Sequence, residues 1–380
     1  MKIVLVIDQF DDANNGTTIS ARRFAMALKE HGNEVRVIAT GKPADYKYAV
    51  RQMKFFPVVE HLITSQGMRL AIPNRHVFEK AAAWADVVHF MMPSPLAITG
   101  LRHVEKLGIP HTAAFHCQPE NITFTLHLGN SRRANDLLYH GFRDTFFNRF
   151  THIHCPSNMI ADQLRSHRYT AQLHVISNGI SPQYVYGRQP KEPWMEGFFN
   201  VLMVGRYAGE KRQDVLIEAC AKSRYADRIQ VILAGKGPLE KKYRKLAEKL
   251  PNPIVMEFYQ PERLLEILHM ADLYVHTADA EIEAMSCMEA FACGLVPVIA
   301  ESPRSATPQF ALDERSLFPA GDSDALAQRI DWWFEHPEER EEMGRHYGEH
   351  AKKYALDESI KQTEEMFRQA IEECRSSVKK

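Results

Sequence analysis

Short apolar runs that are typical of β-strands alternate with helical patterns along the whole chain. The first series starts with a strand-like run at residues 2–7, a helical pattern over 17–30 and a second run at 34–39, and it ends near 173–177. A second series of strand-like runs occupies residues 200–204, 230–234, 254–258, 273–276 and 296–300. Alternation of this kind favours βα units, in which helices cover both faces of a parallel sheet. The sequence therefore predicts two parallel sheets of the α/β class.

The length of 380 residues exceeds the size at which a single hydrophobic core keeps growing, so two domains are expected. Residues 178–193 separate the two series and are rich in the turn residues Asn, Gly and Pro. We therefore predict one Rossmann-like domain over residues 1–180 and another over 181–354. The helical tail, about 355–380, has no strand of its own to cover, and we predict that it crosses back to the first domain.

The composition is that of an ordinary globular protein, with 45% hydrophobic residues, 25% charged residues and a formal net charge of −1. The six cysteines form no CxxC pair and no zinc-ligand spacing, so we expect reduced thiols and no metal site. No apolar run is long enough for a signal-peptide core or for a bilayer span. A cytoplasmic protein is therefore expected.

Two glutamates frame the segment that carries the most specific signal. Glu281 falls where a loop leaves a predicted strand, and Glu289 lies in a helical pattern that closes at Gly294, a natural C-cap. A loop at the carboxyl edge of a parallel sheet that leads into a helix favours the binding of phosphate groups. Carboxylates there also suit polyhydroxylated ligands, because they accept hydrogen bonds from sugar hydroxyls. Two glutamates alone are more often a solvated helix face, so the surrounding sequence decides.

The spacing of these glutamates, followed by Ala-Phe-Ala-Cys-Gly-Leu-Val-Pro-Val at residues 290–298, resembles the signature of glycosyltransferase family four. In that family the first glutamate contacts the donor sugar and the second contacts the ribose. The resemblance implies these roles for Glu281, which we count among the catalytic residues, and for Glu289.

The chain departs from the family pattern directly after the first glutamate. Family members usually have Gly-Phe-Gly there, with amides that hold the donor phosphate, whereas this chain has Ile-Glu-Ala at residues 282–284. Glu283 brings a negative charge to a loop meant for anions, so we expect it to point away or to contact the sugar. By resemblance, Glu283, Ala284 and Met285 are nevertheless candidate donor-binding residues.

A second element of the resemblance follows the strand at residues 200–204. Val-Gly-Arg-Tyr-Ala-Gly-Glu-Lys at residues 204–211 is similar to the family's Gly-Arg…Glu-Lys element, whose cations clamp the donor diphosphate. Two cations just past a strand end can neutralise a leaving diphosphate, which stabilises developing charge. On their own, Arg206 and Lys211 could be surface charges, but together with the glutamate motif they are predicted catalytic residues.

Glycines mark two further candidate positions of the donor site and one hinge. Gly235 and Gly237, in Ala-Gly-Lys-Gly-Pro, resemble the family's Gly-x-Gly turn, where bare backbone lets a nucleotide approach. Glycine is common in strand-to-helix turns, so this motif is weak alone. The sequence Ser-Asn-Gly-Ile at 177–180 resembles the family's hinge, with Ser181 in place of the usual Asp.

The first half supplies two more candidates. Asn-Asn-Gly-Thr-Thr at residues 14–18 follows the first strand and opens a helix, so its amides can face phosphate or acceptor, and Gly16 is the counterpart of a glycine in the family's pair. His116 ends a strand-like run that matches the family's Thr…His element. The resemblance implies that His116 is the active-site histidine.

Taken as a whole, the resemblance implies a GT-B enzyme: two Rossmann-like domains face a central cleft, the first binding acceptor and the second binding donor. It implies retention of anomeric configuration, and a nucleotide sugar, expected to be UDP-glucose or another UDP-hexose such as UDP-galactose, as co-substrate. No cofactor, metal or nucleic-acid partner is expected. Residues 116–121 and the glutamate segment look closest to bacterial diacylglycerol and related lipid glucosyltransferases. A ceramide, polysaccharide or soluble-sugar acceptor remains an alternative.

A membrane acceptor would require contact with the inner face of the plasma membrane, and residues 131–150 are the predicted contact. This helical pattern interleaves aromatic residues with arginines, as interfacial helices do. A set of apolar residues at four-residue spacing is equally compatible with a stripe that faces the core; it comprises Leu138, Phe142, Phe146 and Phe150. We assign that stripe to the core and expect Phe147 and the arginines to be exposed.

Other enzyme classes lack their signatures in this chain. A nicotinamide dehydrogenase needs Gly-x-Gly-x-x-Gly after its first strand, where this chain has Asp-Gln-Phe-Asp-Asp at residues 8–12. A metal-dependent sugar transferase needs Asp-x-Asp, and the only candidate, Asp-Ser-Asp at 322–324, is better explained as a helix N-cap. A nucleotide-sugar epimerase and a noncatalytic binding module remain as alternatives.

Overall fold

The computed structural model describes residues 1–11, 16–56, 60, 63–64, 67–126, 128–129 and 131–378. The chain divides into two compact units. The first comprises Met1–Pro119, Asn130–Asn178 and Leu356–Lys380, and the second comprises Glu120–Gly129 and Gly179–Ala355. The main division therefore lies within two residues of the predicted boundary, while residues 120–129 group with the second unit.

The strands are β1 (Lys2–Val6), β2 (Glu34–Thr40), β3 (Lys47–Val50), β4 (Val87–Phe90), β5 (His111–Ala114), β6 (His152–Cys155), β7 (Gln172–Val175), β8 (Phe199–Val204), β9 (Ile229–Ala234), β10 (Val255–Glu257), β11 (Leu273–His276), β12 (Ala280–Glu281), β13 (Pro297–Glu301), β14 (Arg304–Ser305) and β15 (Leu317–Pro319). The helices are α1 (Gly16–Glu30), α2 (Arg75–Trp84), α3 (Pro95–Lys106), α4 (Pro119–Thr125), α5 (Arg132–Thr145), α6 (Asn158–Ser166), α7 (Gln213–Lys222), α8 (Glu240–Leu246), α9 (Pro261–Met270), α10 (Met285–Ala292), α11 (Ser323–Glu335), α12 (Pro337–Ala351) and α13 (Leu356–Val378).

Each unit is built on one parallel sheet, as the alternation of strand and helix patterns predicts. Within the described residues the first sheet has the strand order β3-β2-β1-β4-β5-β6-β7, and the second has the order β10-β9-β8-β11-β13-β15. Both orders reverse beside a central strand, β1 in the first sheet and β8 in the second. This is the doubly wound arrangement, and it confirms the predicted pair of Rossmann-like sheets.

The core of the first unit explains why its central strand is a continuous apolar run. Ile3 and Leu5 of β1 are fully buried and belong to one hydrophobic cluster with Phe24 of α1. The same cluster contains Ile360 and Phe367 of α13. A strand that is buried on both faces needs apolar residues at consecutive positions, which is the pattern of β1.

Helix α13 belongs to the first unit and is held there by polar as well as apolar contacts. Asn33 donates a hydrogen bond of 2.5 Å from Nδ2 to Glu364 Oε1. A second contact joins His152 Nε2 to Glu373 Oε2 at 3.0 Å. The last helix of the chain therefore packs on the unit that also contains the first strand.

The second unit has its own core, formed around β8 and the helix that carries the glutamate motif. Leu202 of β8 and Phe291 of α10 are fully buried in one cluster with Trp333 of α11. Gly294 follows α10 with a φ of 89°, a left-handed conformation that glycine adopts without steric cost. Asp322 caps α11, since its Oδ1 accepts the amide of Ala325 at 2.9 Å, which confirms the N-cap interpretation. None of the helices described combines the length and apolar character needed to cross a bilayer.

Candidate functional site

The carboxyl edge of the second sheet brings together most of the residues predicted to bind the donor. Strands β8, β9 and β11 are neighbours in this sheet and run parallel, so their carboxyl ends lie at the same edge. The strand order reverses between β8 and β11, and ligands of doubly wound sheets bind in the crevice beside such a point. Arg206 and Lys211 follow β8, and Glu281 follows β11.

Lys211 and Glu281 form an ion pair across this crevice. The Lys211 ammonium donates a hydrogen bond to Glu281 Oε2. The lysine is fixed by its backbone, because its carbonyl accepts the hydroxyl of Thr277 at 2.8 Å. The glutamate is fixed in the short parallel pair of β12 and β14, and its carbonyl accepts the amide of Ala306 at 2.9 Å. The loops after two different strands are thereby tied together by opposite charges.

The electrostatics of this pair keep the carboxylate ionised. Burial alone would raise the pKa of Glu281, but the Lys211 ammonium and the contact with His276 lower it to about 2. His276 Nε2 lies 3.4 Å from Glu281 Oε2, without the alignment of a good hydrogen bond. Burial lowers the pKa of His276, against the opposite effect of Glu281. The site therefore holds a fixed negative charge next to a neutral imidazole at neutral pH.

Arg206, the second predicted cation, is also paired with a carboxylate. Its Nη2 donates a hydrogen bond of 2.7 Å to Glu210 Oε1, and Glu210 is buried. The Arg206 carbonyl accepts the side-chain amide of Gln213 at 2.9 Å, and the Glu210 carbonyl accepts the amide of Asp279 at 2.7 Å. Both predicted cations thus sit beside acidic side chains at one sheet edge, a charge pattern suited to a ligand that is anionic at one end and rich in hydroxyls at the other.

The loop that departs from the family pattern has an unusual backbone. Ala284 has a φ of 66°, which is left-handed and rarely adopted by residues other than glycine. This is the position at which the family pattern has its second glycine, a residue that adopts a left-handed conformation without steric cost. Helix α10 begins at the next residue, Met285, and it has no side-chain cap.

The two glutamates near this turn are buried. Glu283 is almost fully buried and lies close enough to Tyr354 to help raise the pKa of that phenol, for which burial is the larger cause. Glu289, in the middle of α10, is also buried. Glu283 therefore occupies the interior of the second unit beside a tyrosine.

Gly235 and Gly237 are required by the close approach of two loops. A Cβ atom at Gly235 would collide with the carbonyl oxygen of Gly205, and one at Gly237 would lie 2.5 Å from that of Tyr207. The same approach is fixed by a hydrogen bond of 3.1 Å from the Tyr207 amide to the Lys236 carbonyl. These glycines hold the Arg206 loop against the end of β9, a structural reason that the sequence did not reveal.

Sequence reasoning also missed a polar chain beneath the ion pair. The Tyr274 hydroxyl donates to Ser286 Oγ at 3.1 Å and lies 3.3 Å from His276 Nδ1. Ser286 in turn donates to the Val204 carbonyl at 3.3 Å. The chain links the ends of β8 and β11 to the first turn of α10. The only signal in the sequence was the polar end of β11, whose last residue is His276.

The first unit contains the remaining candidates, His116 and Gly16. His116 directly follows the β5 run and is buried, and its Nε2 contacts no polar partner among the described residues. Burial and the neighbouring His154, whose ring centroid is 5.2 Å away, hold the pKa of His116 well below its usual range. Thr17, next to Gly16, donates to the His116 carbonyl at 3.5 Å. Asn14 and Asn15 lie outside the described residues.

The predicted membrane helix is only partly exposed, and one expectation about it is wrong. Phe147 is fully buried, and its ring packs 5.1 Å from Phe115 and 5.8 Å from Tyr169. Helix α5 ends at Thr145 and a tight turn follows, so the helical periodicity does not extend to this residue. Of the four arginines, Arg132 and Arg133 are exposed as expected. Arg143 and Arg149 are partly buried and are paired with Asp144 and Glu105.

Two protein-family models match the chain. Residues 14–184 match the model described as Glycosyltransferase Family 4, and residues 188–350 match the one described as Glycosyl transferases group 1. A search of curated proteins gives no match.

Two solved structures share the architecture over nearly the whole chain. Sucrose-phosphate synthase from Thermosynechococcus elongatus superposes with a TM-score of 0.77 at 16% identity, covering 97% of this chain and 98% of that chain. HepE from Anabaena, in complex with UDP and glucose, gives 0.75 at 15%, covering 97% and 100%. The catalytic domain of cholesterol-α-glucosyltransferase from Helicobacter pylori is 51% identical over 41% of this chain and 99% of that chain, with a TM-score of 0.40.

These findings confirm the GT-B fold and the enzyme class. The two family models together span nearly all of both sheets, and the structures that superpose over 97% of the chain have the same two-sheet architecture. They favour a transferase over the epimerase and the binding module that the sequence left open. The chain is a glycosyltransferase of the family-four type.

Proposed function

We propose that the protein transfers a hexose from a UDP-hexose to the hydroxyl of a membrane lipid such as diacylglycerol, with retention of anomeric configuration. The observation that carries this proposal is the paired arrangement of Arg206 with Glu210 and of Lys211 with Glu281 at the carboxyl edge of the second sheet. A nucleotide sugar presents a diphosphate next to a polyhydroxylated ring, and this site offers cations next to carboxylates.

The proposed role of the two cations is to stabilise the departing diphosphate. Negative charge develops on the bridging oxygen as the bond to the sugar breaks, and preorganised cations stabilise that charge most strongly in a partly buried site. Arg206 and Lys211 exchange their carboxylate partners for phosphate oxygens when the donor binds. Since side-chain cations supply this charge, the proposed reaction uses no metal and no cofactor.

The carboxylates are proposed to hold the sugar and the ribose. Glu281 is ionised, so it accepts hydrogen bonds from the hydroxyls of the transferred hexose. Glu289 accepts the ribose hydroxyls, as the family resemblance implies. The neutral imidazole of His116, with a buried Nε2, is proposed to contact the same hexose. A UDP donor is supported by the ligands in the HepE structure, which contains UDP and glucose.

The lipid acceptor is the part of the proposal that rests most on sequence. Residues 116–121 and the glutamate segment look closest to bacterial lipid glucosyltransferases, and a ceramide or a soluble sugar would fit the same donor residues. The neutral state of His116 and the ionised state of Glu281 serve any of these acceptors equally, so the acceptor must be tested directly.

The test offers radiolabelled UDP-glucose and UDP-galactose with diacylglycerol, ceramide, cholesterol and soluble sugars in parallel reactions. Cholesterol is included because the Helicobacter pylori enzyme is named for it. The proposal predicts label in the lipid fraction with diacylglycerol and release of UDP. Label found only in soluble sugars would overturn the lipid acceptor, and interconversion of the two UDP-hexoses without acceptor would indicate an epimerase.

A further inference from the structure

An arm of the first unit lies between β3 and α2 and carries apolar side chains that are not in the core. We define the arm as residues 51–56 and 67–72. Its two sides are paired, since the Met53 amide donates to the Leu70 carbonyl at 2.8 Å and the Ile72 amide donates to the Arg51 carbonyl at 2.8 Å. The arm therefore has a fixed backbone at its base.

The apolar residues of the arm are poorly buried. Ala71 is the only described apolar residue of the arm that is buried. Phe56 is 85% exposed, the highest value among the exposed large hydrophobic residues described, and Ile72 is 42% exposed. A single exposed apolar residue needs no explanation, but an exposed aromatic side chain within a weakly buried apolar segment indicates an interaction surface.

The charged residues of the arm are of one sign. Arg51, Lys54 and Arg69 are exposed. Glu60 is the only acidic residue between positions 51 and 72. Its Oε2 accepts the Phe55 amide at 3.0 Å, so this carboxylate is hydrogen-bonded to the backbone of the arm. An exposed aromatic ring on an arm with three exposed cations suits a partner whose outer layer is anionic and whose interior is apolar.

We propose that the arm is the membrane-contacting surface of the protein and that its partner is a bilayer rich in anionic lipid. Phe56 enters the boundary between headgroups and acyl chains, while Arg51, Lys54 and Arg69 meet the anionic headgroups. This inference rests on the proposed lipid acceptor, because contact with a bilayer is useful to an enzyme whose acceptor resides there.

The arm fits this role better than helix α5 does. The aromatic residue expected to be exposed there, Phe147, is buried, so the exposed arginines at the start of α5 have no exposed aromatic side chain beside them among the residues expected to provide one. On α5 the large exposed apolar residue is Leu137, which is 72% exposed. Leu137 is therefore a matched control for Phe56, since both are exposed apolar residues of the first unit and only one belongs to the arm.

The experiment is flotation of the full chain with vesicles of phosphatidylcholine alone or mixed with phosphatidylglycerol, at low and high salt. We expect the parent chain to float with the anionic vesicles and to be released by salt. Phe56→Ser should weaken binding about tenfold, because insertion of the ring is lost. Lys54→Glu should weaken it most at low salt, and Leu137→Ser should have no effect. All variants should bind UDP as the parent does, which shows that they are folded.

The outcomes separate the arm from the proposed reaction. Unchanged flotation of Phe56→Ser, or an equal loss in Leu137→Ser, would overturn the arm as the contact surface. Dimerisation in light scattering that Phe56→Ser abolishes, without flotation of the parent, would make the arm an interface between copies of the chain and would also overturn it. Flotation of the parent without transfer to any lipid would leave the arm standing and reject the lipid acceptor. Transfer to lipid in detergent micelles without flotation would support the lipid acceptor and reject the arm as the membrane-contacting surface.

Discussion

The ammonium of Lys211 donates a hydrogen bond to the carboxylate of Glu281, and this pair joins the loop after β8 to the loop after β11. Its two members have different proposed roles, since Lys211 is assigned to the diphosphate of the donor and Glu281 to the hexose. Burial and the neighbouring lysine set the charge state of Glu281, whose pKa of about 2 keeps it ionised at any working pH.

Removal of either cation should slow the chemical step. We expect Arg206→Ala and Lys211→Ala each to cost about 2–4 kcal/mol of transition-state stabilisation, mainly through kcat, because the charge they neutralise develops in the transition state. Steady-state kinetics with saturating donor measure this loss. Lys222→Ala is the control, since Lys222 is paired with Asp324 away from the sheet edge. If the kinetics of the two site variants match those of the control, Arg206 and Lys211 do not stabilise the leaving diphosphate.

Loss of Glu289 should act on binding instead. The proposed contacts of its carboxylate to the ribose persist from the bound donor to the transition state, so Glu289→Ala should raise KM for the nucleotide sugar and leave kcat nearly unchanged. Comparison of KM and kcat for this variant and for Glu289→Gln separates a lost hydrogen bond from a cavity in α10. A fall in kcat alone would assign Glu289 to the chemical step.

The glycine turn makes a prediction about stability. In Gly235→Ala the new methyl group would collide with the Gly205 carbonyl, whereas at Gly209 a Cβ would meet nothing within 4 Å. We expect Gly235→Ala to lower the free energy of unfolding by about 1–3 kcal/mol, as overpacking does, and Gly209→Ala to be nearly neutral. Denaturant unfolding of the two variants measures the difference. Equal stability of both would show that the loops can separate without cost.

Buried histidines of the first unit should make the protein sensitive to acid. Burial lowers the pKa of His89 to about 3 and that of His154 to about 4, and it also lowers that of His116. In the unfolded chain these histidines bind protons near pH 6.5. Their contribution to the free energy of unfolding is therefore complete above that pH and is lost as the pH falls from 6.5 towards 4.

Because three protons are taken up only on unfolding, the free energy of unfolding should fall by up to about 4 kcal/mol per pH unit in that window. Urea unfolding at several pH values between 7.5 and 5 measures it, and His154→Gln should reduce the slope by about one proton. His76, whose side chain is 92% exposed, provides the control His76→Gln. A flat pH profile for the parent chain would mean that these histidines titrate normally when folded.

Much of the fold could be predicted because central strands such as β1, β8 and β9 are buried, mostly apolar runs. Strand β11 has the predicted bounds, and β8 and β9 begin one residue earlier than predicted. The assignment of residues 120–129 to the second unit could not be predicted, since it depends on contacts far apart in sequence, such as the Arg304 guanidinium 5.6 Å from the Phe124 ring.

The sequence named candidate residues for the site but not the side chains with which they pair. The motifs named Arg206, Lys211 and Glu281, and Glu210 stands in the same Glu-Lys element as Lys211. The pairing of these side chains could not be predicted, because it depends on where the strands end. The error at Phe147 has a similar origin, since a four-residue spacing continues on one face only while the helix lasts, and α5 ends at Thr145.

Retaining transfer of a hexose from a UDP-hexose to a lipid hydroxyl fixes the anomeric configuration of the product. The measurement is proton NMR of the purified glycolipid formed from UDP-glucose or UDP-galactose, in which the hexose is α-linked, and diacylglycerol. We expect an α-linked hexose on the lipid. A β-linked product, or hexose recovered only on a soluble sugar, would contradict it.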